Sequence, residues 1–172
     1  KHFITHARIA ILEGLNPKDN REIPPLRYED VYRIKEAFPG LFIEINGGIK
    51  TIEAIKEHLH YVDGVMLGRV AYENPFLLTQ VDQFFEGGRI NTISRREVIE
   101  GLIEYVKQFG EDKRKGQQAL KNILGLFHNK RGSRLWRQLI TPPWKEGSYA
   151  GEVLEKALYM LPAEVLDERS NI

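Results

Sequence analysis

Cysteine is absent from this chain. That excludes a disulfide framework, thiolate zinc sites, and any cysteine nucleophile or cysteine acid supplied by these residues. Long apolar runs are absent as well. No stretch approaches the roughly 18–20 residues that a membrane-spanning helix needs. The opening residues, Lys1-His2-Phe3-Ile4-Thr5-His6, lack the basic start, apolar stretch and small-residue cleavage site of a secretory signal. His2, His58, His60 and His128 show no ligand spacing, so no metal site is expected. Net charge is nearly absent too, at +1 over 172 residues. With 42% hydrophobic and 28% charged residues, the chain is too apolar for disorder and too evenly charged for a histone-like tail. The expectation is a soluble globular protein of the cytoplasm with no membrane partner.

The neutral total hides a segregation of charge. Between Lys107 and Lys145 there are ten basic residues and two acidic ones, a local net charge of +8; the remainder of the chain carries −7. A basic segment on an otherwise acidic chain suits a polyanionic partner, and equally suits a solvated helix face.

The first half reads as strands alternating with helices. Phe3–His6 is the end of one strand, Leu41–Ile45 a second and Asp63–Leu67 a third. Between them, helical spacing runs from Tyr28 to Phe38, and Thr51 can cap a helix carrying Ile52, Ile55 and Leu59. A further helix is expected from Pro75 to Phe85. Such alternation implies parallel βα units. About three fit before residue 88, whereas a (β/α)8 barrel takes roughly 250 residues. The chain is therefore expected to be the C-terminal portion of a longer protein.

Composition changes after Gly87-Gly88. Ser94-Arg95-Arg96-Glu97 has the form of a capping box. Apolar residues then recur at helical spacing: Val98, Leu102, Val106 and Phe109; Leu120, Ile123, Leu124 and Phe127; a third helix near Ser133–Leu139; and a last from Gly151 to Leu161. The expected fold class is α/β plus all-α, the C-terminal part of a (β/α)8 TIM barrel over residues 1–90 followed by a small helical bundle domain over 91–172.

Several residues could carry chemistry. Asn46-Gly47-Gly48 follows a strand and precedes a helix, where free backbone N–H groups and the helix field favour an anion; a plain tight turn is the alternative. Gly68-Arg69 holds the same place on the next strand, and a guanidinium can grip phosphate bidentately. His6 ends the preceding strand, with Arg8 two residues on. Lys18 and Arg21 lie in a polar loop that could touch a polyanion or simply be exposed. Lys130, Arg134 and Arg137 fall at i, i+4 and i+7 on one helical face, either solubilising or suited to a nucleic-acid backbone. Trp136 could be core or could stack on a base.

These stretches together resemble the tRNA-dihydrouridine synthases, most closely their A-type branch. The likeness rests on residues 3–8 (FITHAR), 14–26 (GLNPKDNREIPPL), 45–50 (INGGIK), 63–75 (DGVMLGRVAYENP), 124–127 (LGLF) and 134–137 (RLWR). The resemblance implies an FMN-dependent barrel with a helical tRNA-binding domain. It implies reduction of the C5–C6 bond of D-loop uridines 20 and 20a, with NADPH as reductant. It implies FMN contacts from His6, Asn46, Gly47, Gly48, Gly68 and Arg69, and tRNA contacts from Lys18, Arg21, Arg134 and Arg137. The family's acid is a cysteine on the first half of the barrel. With no cysteine here, the chain has no catalytic residue of that kind, and a missing N-terminal half-barrel is the expected partner. The alternatives are a non-catalytic tRNA-binding fragment, or a phosphate-binding TIM-barrel flavoenzyme acting on a small metabolite; the basic segment speaks against the latter.

Overall fold

The computed structural model describes residues 1–85, 87–88, 92–110 and 112–170. The expected boundary at 90/91 and Glu111 of the basic segment lie outside them. Two compact units are present, Lys1–Val70 and Ala71–Ile172. No helix among the described residues is long and apolar enough to cross a membrane.

The first unit is a three-stranded parallel sheet in the order β1-β2-β3, made of β1 His2–His6, β2 Phe42–Asn46 and β3 Gly64–Met66. Register pairs His6 with Asn46 and Asn46 with Met66, so the three carboxyl ends lie side by side. The crossovers carry α1 Pro17–Asn20 and α2 Tyr28–Ala37 before β2, and α3 Ile52–His58 before β3. A parallel pair requires such a crossover.

One sheet face is buried at its central strand: Ile43 and Ile45 of β2 are buried, as are Val31 of α2 and Ile52 and Ile55 of α3, while Phe3, in register with Ile43 on β1, stays 47% exposed. The other face exposes Ile4, Phe42 and Met66, at 53%, 47% and 40%. Strand periodicity of two explains the split, since these three alternate with the buried pair. This mixed α/β arrangement is compatible with part of a (β/α)8 barrel. Asp63 ties its lower end together, its Oδ2 accepting from Ile43 N–H at 2.8 Å and pairing with Lys35 Nζ at 2.8 Å.

Two expectations here are refined by local chemistry. The Lys18 loop contains a helical turn, because Asn16 Oδ1 accepts from Lys18 N–H and Asp19 N–H while Pro17 opens the turn. Thr51 caps α3 as expected, its hydroxyl accepting from Ala54 N–H at 3.1 Å.

The second unit begins within the short helix α4 Val70–Glu73 and continues as a 3₁₀ stretch, Pro75–Phe84. The helix expected from Pro75 to Phe85 is present in this tighter form. Thr79 Oγ1 and Gln83 Nε2 donate to the carbonyls of Phe76 and Gln80, three residues back, which accompanies the tighter winding. Then follow α5 Arg95–Lys107, α6 Lys113–Lys121, α7 Ser133–Ile140, α8 Ala150–Met160 and α9 Ala163–Leu166. The Ser94/Glu97 capping box forms in full at α5. Helices α5, α6 and α7 all pack on α8, around Ile99, Leu120, Phe127, Trp136, Ile140 and Leu154. Gly116 lets α6 approach α8, since a Cβ there would stand 2.7 Å from Ala150 Cβ.

Helix α6 stops at Lys121, short of Phe127. Beyond it the chain tightens into i→i+3 bonds, and Gly125 sits where a Cβ would stand 2.3 Å from the Glu73 carbonyl oxygen. Lys130 does not share a helix face with Arg134 and Arg137. Gly132, at φ +86°, turns the chain so that α7 starts at Ser133. Lys130 instead pairs with Glu168 at 2.6 Å. Trp136 resolves to core: it is fully buried and donates from Nε1 to the Ile123 carbonyl at 2.9 Å.

Candidate functional site

The carboxyl ends of the three strands open into a hollow of about 130 Å³. All six residues expected there line it: His6, Asn46, Gly47, Gly48, Gly68 and Arg69. Strand direction is the cause, because parallel pairing brings sequence-distant termini to one edge. Gly47 and Gly48 make the turn out of β2 at φ +125° and +69°, conformations that L side chains rarely adopt. The turn is pinned by Tyr28, whose hydroxyl donates to the Gly47 carbonyl at 2.9 Å. Gly68 differs: a Cβ there would meet only Asn46 Oδ1, at 3.9 Å, so its lack of a side chain leaves open space rather than relieving a clash.

Cations surround this space. Arg8, Arg21 and Lys50 line it together with Arg69. Arg8 is held by donation from Nε to the Pro24 carbonyl at 2.7 Å. His6 feels the surplus: burial first, then the charges of Arg8, Arg21 and Arg69, hold its pKa below the usual histidine value. Burial and, after it, these charges disfavour the imidazolium, and an incoming anion would offset the part due to the charges.

Arg69 is not free. Its Nη1 pairs with Glu22 Oε1 at 2.8 Å, both side chains being about half exposed. Glu22, Lys50 and the anchoring of Arg8 were not foreseen as parts of the site. Lys50 follows Gly47-Gly48 closely enough that the turn itself points to it, whereas no local signal links Glu22 to Arg69.

Arg21 stands at this hollow; Lys18 does not line it and is exposed on α1. Arg134 and Arg137 project from α7, both exposed. Arg137 reaches back to Ser133 Oγ at 3.2 Å and borders a second hollow with Tyr72, His128 and Asn129. Of the basic segment, Lys107, Lys115, Lys130 and Arg131 are ion-paired. Lys113, Arg114, Lys121, Arg134, Arg137 and Lys145 have no ion pair among the described residues. No cluster of three or more His, Asp or Glu residues able to hold a metal occurs among the described residues.

Fold and site thus define an α/β protein whose parallel strands end at a cationic, glycine-lined hollow. The model of the dihydrouridine synthase family (Dus) matches residues 1–158, and the chain belongs to that family. It is 44% identical over 158 residues to the tRNA-dihydrouridine(20/20a) synthase of Pasteurella multocida, covering 92% of this chain and 48% of that protein. The protein of the same name from Pseudomonas aeruginosa is 45% identical over 161 residues, covering 94% and 48%. That from Synechocystis is 44% identical over 158 residues, covering 92% and 47%. The chain spans about half the length of the curated relatives it matches.

Proposed function

We propose that the protein is a flavin-dependent tRNA-dihydrouridine synthase acting at uridines 20 and 20a, with FMN as cofactor and NADPH as reductant. The observation that carries this reading is the convergence of His6, Asn46, Gly47, Gly48, Gly68 and Arg69 on one hollow, with Arg8, Arg21 and Lys50 beside them. The family membership and the names of the relatives support the same reading.

The residues fit a mononucleotide phosphate. The hollow is smaller than the roughly 300–1,000 Å³ of a whole-ligand pocket, so it suits a phosphoryl group rather than an entire flavin. Open space at Gly68 lets that group approach the backbone. Arg69 and the turn after Asn46 supply donors. When bound, the flavin supplies the hydride for C6 of the uridine. His6, below its usual pKa while the site is free, gains a proton more readily once a phosphate offsets Arg8, Arg21 and Arg69.

A stacked base does not reach a buried ring, so the target uridine must be extruded. Lys18, Arg21, Arg134 and Arg137 hold the tRNA backbone. The proton for C5 comes from a group outside these 172 residues, which contain no cysteine. We place that group on a further half-barrel covering the exposed Ile4, Phe42 and Met66 face. Without it, the 172 residues bind tRNA but do not turn over, a non-catalytic tRNA-binding reading that the missing thiol favours.

Arg69→Ala should strip flavin absorbance from the purified protein while leaving tRNA affinity within about twofold. Arg134→Ala with Arg137→Ala should do the reverse, weakening tRNA binding about tenfold and lowering its salt slope by about 1–2. Flavin-free wild-type protein, or flavin loss in the α7 variant, would overturn the assignment.

A further inference from the structure

Gly47 and Gly48 both wall the hollow at the strand ends, and neither carries a side chain that fixes which way the peptide between them points. In a trans peptide the carbonyl and the N–H point in opposite directions. One orientation offers an anion a donor; the other offers it a carbonyl oxygen, which repels it. Tyr28 decides between them. Its hydroxyl donates to the Gly47 carbonyl at 2.9 Å, and Tyr28 itself is not on the wall of the hollow. The carbonyl is thus engaged from outside the hollow. The Gly48 N–H, directed away from that carbonyl, has no acceptor among the described residues.

Tyr28 reaches this carbonyl because the chain before it is tied to the strand ends. Arg27 N–H donates to the Ala7 carbonyl at 2.8 Å, and Ala7 N–H to the Asn46 carbonyl at 2.7 Å. The phenol ring stands edge-on to the buried His58, with centroids 4.4 Å apart. His58 Nδ1 in turn lies 2.6 Å from the Tyr32 hydroxyl. Burial, opposed in part by Arg8, raises the Tyr28 pKa, so the hydroxyl stays a donor.

We propose that Tyr28 is a positioning residue for the phosphate subsite: its hydroxyl locks the Gly47–Gly48 peptide in the orientation that offers the Gly48 N–H to a phosphoryl group. His58 and Tyr32 hold the ring at the angle this requires. The inference rests on the FMN reading above and adds a residue, set outside the hollow, that the resemblance does not assign.

The experiment titrates the full chain with FMN and with riboflavin, which lacks the phosphate, and follows flavin fluorescence. Tyr28→Phe keeps the ring against His58 and removes only the hydroxyl. It should weaken FMN binding about tenfold, the scale of one hydrogen bond to a charged group, and leave riboflavin affinity within about twofold. A tyrosine that merely supports the fold would lower both affinities together. A second measurement needs no variant: inorganic phosphate added to the wild-type chain should shift the Gly48 amide resonance. Equal losses for the two flavins in Tyr28→Phe, or a Gly48 amide that phosphate does not move, would overturn the inference. If the wild-type chain binds FMN no better than riboflavin, the parent reading fails. If wild type prefers FMN, and Arg69→Ala abolishes that preference while Tyr28→Phe keeps it, only the role of the tyrosine fails.

Discussion

A methyl group added at Gly48 would stand 2.5 Å from Leu26 Cδ1 on a backbone already at φ +69°. The same methyl at Gly68 would meet nothing closer than 3.9 Å. Gly48→Ala should therefore cost about 2 kcal/mol of stability, from the left-handed backbone and the clash together. Gly68→Ala should leave the urea midpoint unchanged and instead weaken flavin retention, because its Cβ fills the space offered to a ligand. Parallel urea titration and flavin absorbance separate the two. If both variants lose stability equally, Gly68 is a structural turn and not part of a cradle.

At the scale of elements, the unexpected member is Arg95 at the start of α5. Its side chain is 4% exposed, donates from Nε to the Leu126 carbonyl at 2.9 Å, and pairs with Glu168 at 3.0 Å while lying over the Phe76 ring. Glu168 also takes Lys130, and Lys130 first, then Arg95, holds the carboxyl below the ordinary glutamate range. This carboxylate connects α5, the turn before α7 and the chain after α9. Removing it leaves a buried guanidinium short of a partner. Glu168→Gln should lower stability by about 1–2 kcal/mol, whereas Asp167→Asn, which loses only the exposed pair with Arg96, should be nearly silent. Equal urea midpoints for the two variants would refute the asymmetry. Sequence periodicity did reveal α5, α7 and α8. It did not reveal that Lys130 leaves the α7 face, because a glycine at φ +86° two residues later decides where that helix starts.

For the molecule as a whole, acid should act in two steps. His6 and His58 both sit below the usual histidine pKa, chiefly through burial. Their contribution is complete above about 6.5, the unfolded value, and is lost as pH falls through their lower folded values. Asp63 and Glu168, held down by Ile43 N–H and by Lys130 respectively, add a second loss below their unfolded values near pH 4. Urea midpoints should thus fall from pH 7 to 5.5, then fall again below pH 4. His58→Gln should flatten the first limb, and an unchanged limb in that variant would exclude the buried imidazole as its source.

What the sequence determined by itself follows from short-range rules. Period-two and period-3.6 patterns mark strands and helices, Asn46-Gly47-Gly48 requires a turn that only glycines enter freely, and parallel strands must end at one edge. Those rules were enough to bring His6, Asn46, Gly68 and Arg69 together. Tertiary structure alone decided that Glu22 pairs with Arg69, that Arg21 rather than Lys18 faces the hollow, that Trp136 is core, and that Tyr28 meets the Gly47 carbonyl. Each of these depends on which distant groups meet in space, and side-chain pairing across tens of residues is set by packing and desolvation, which no local periodicity encodes.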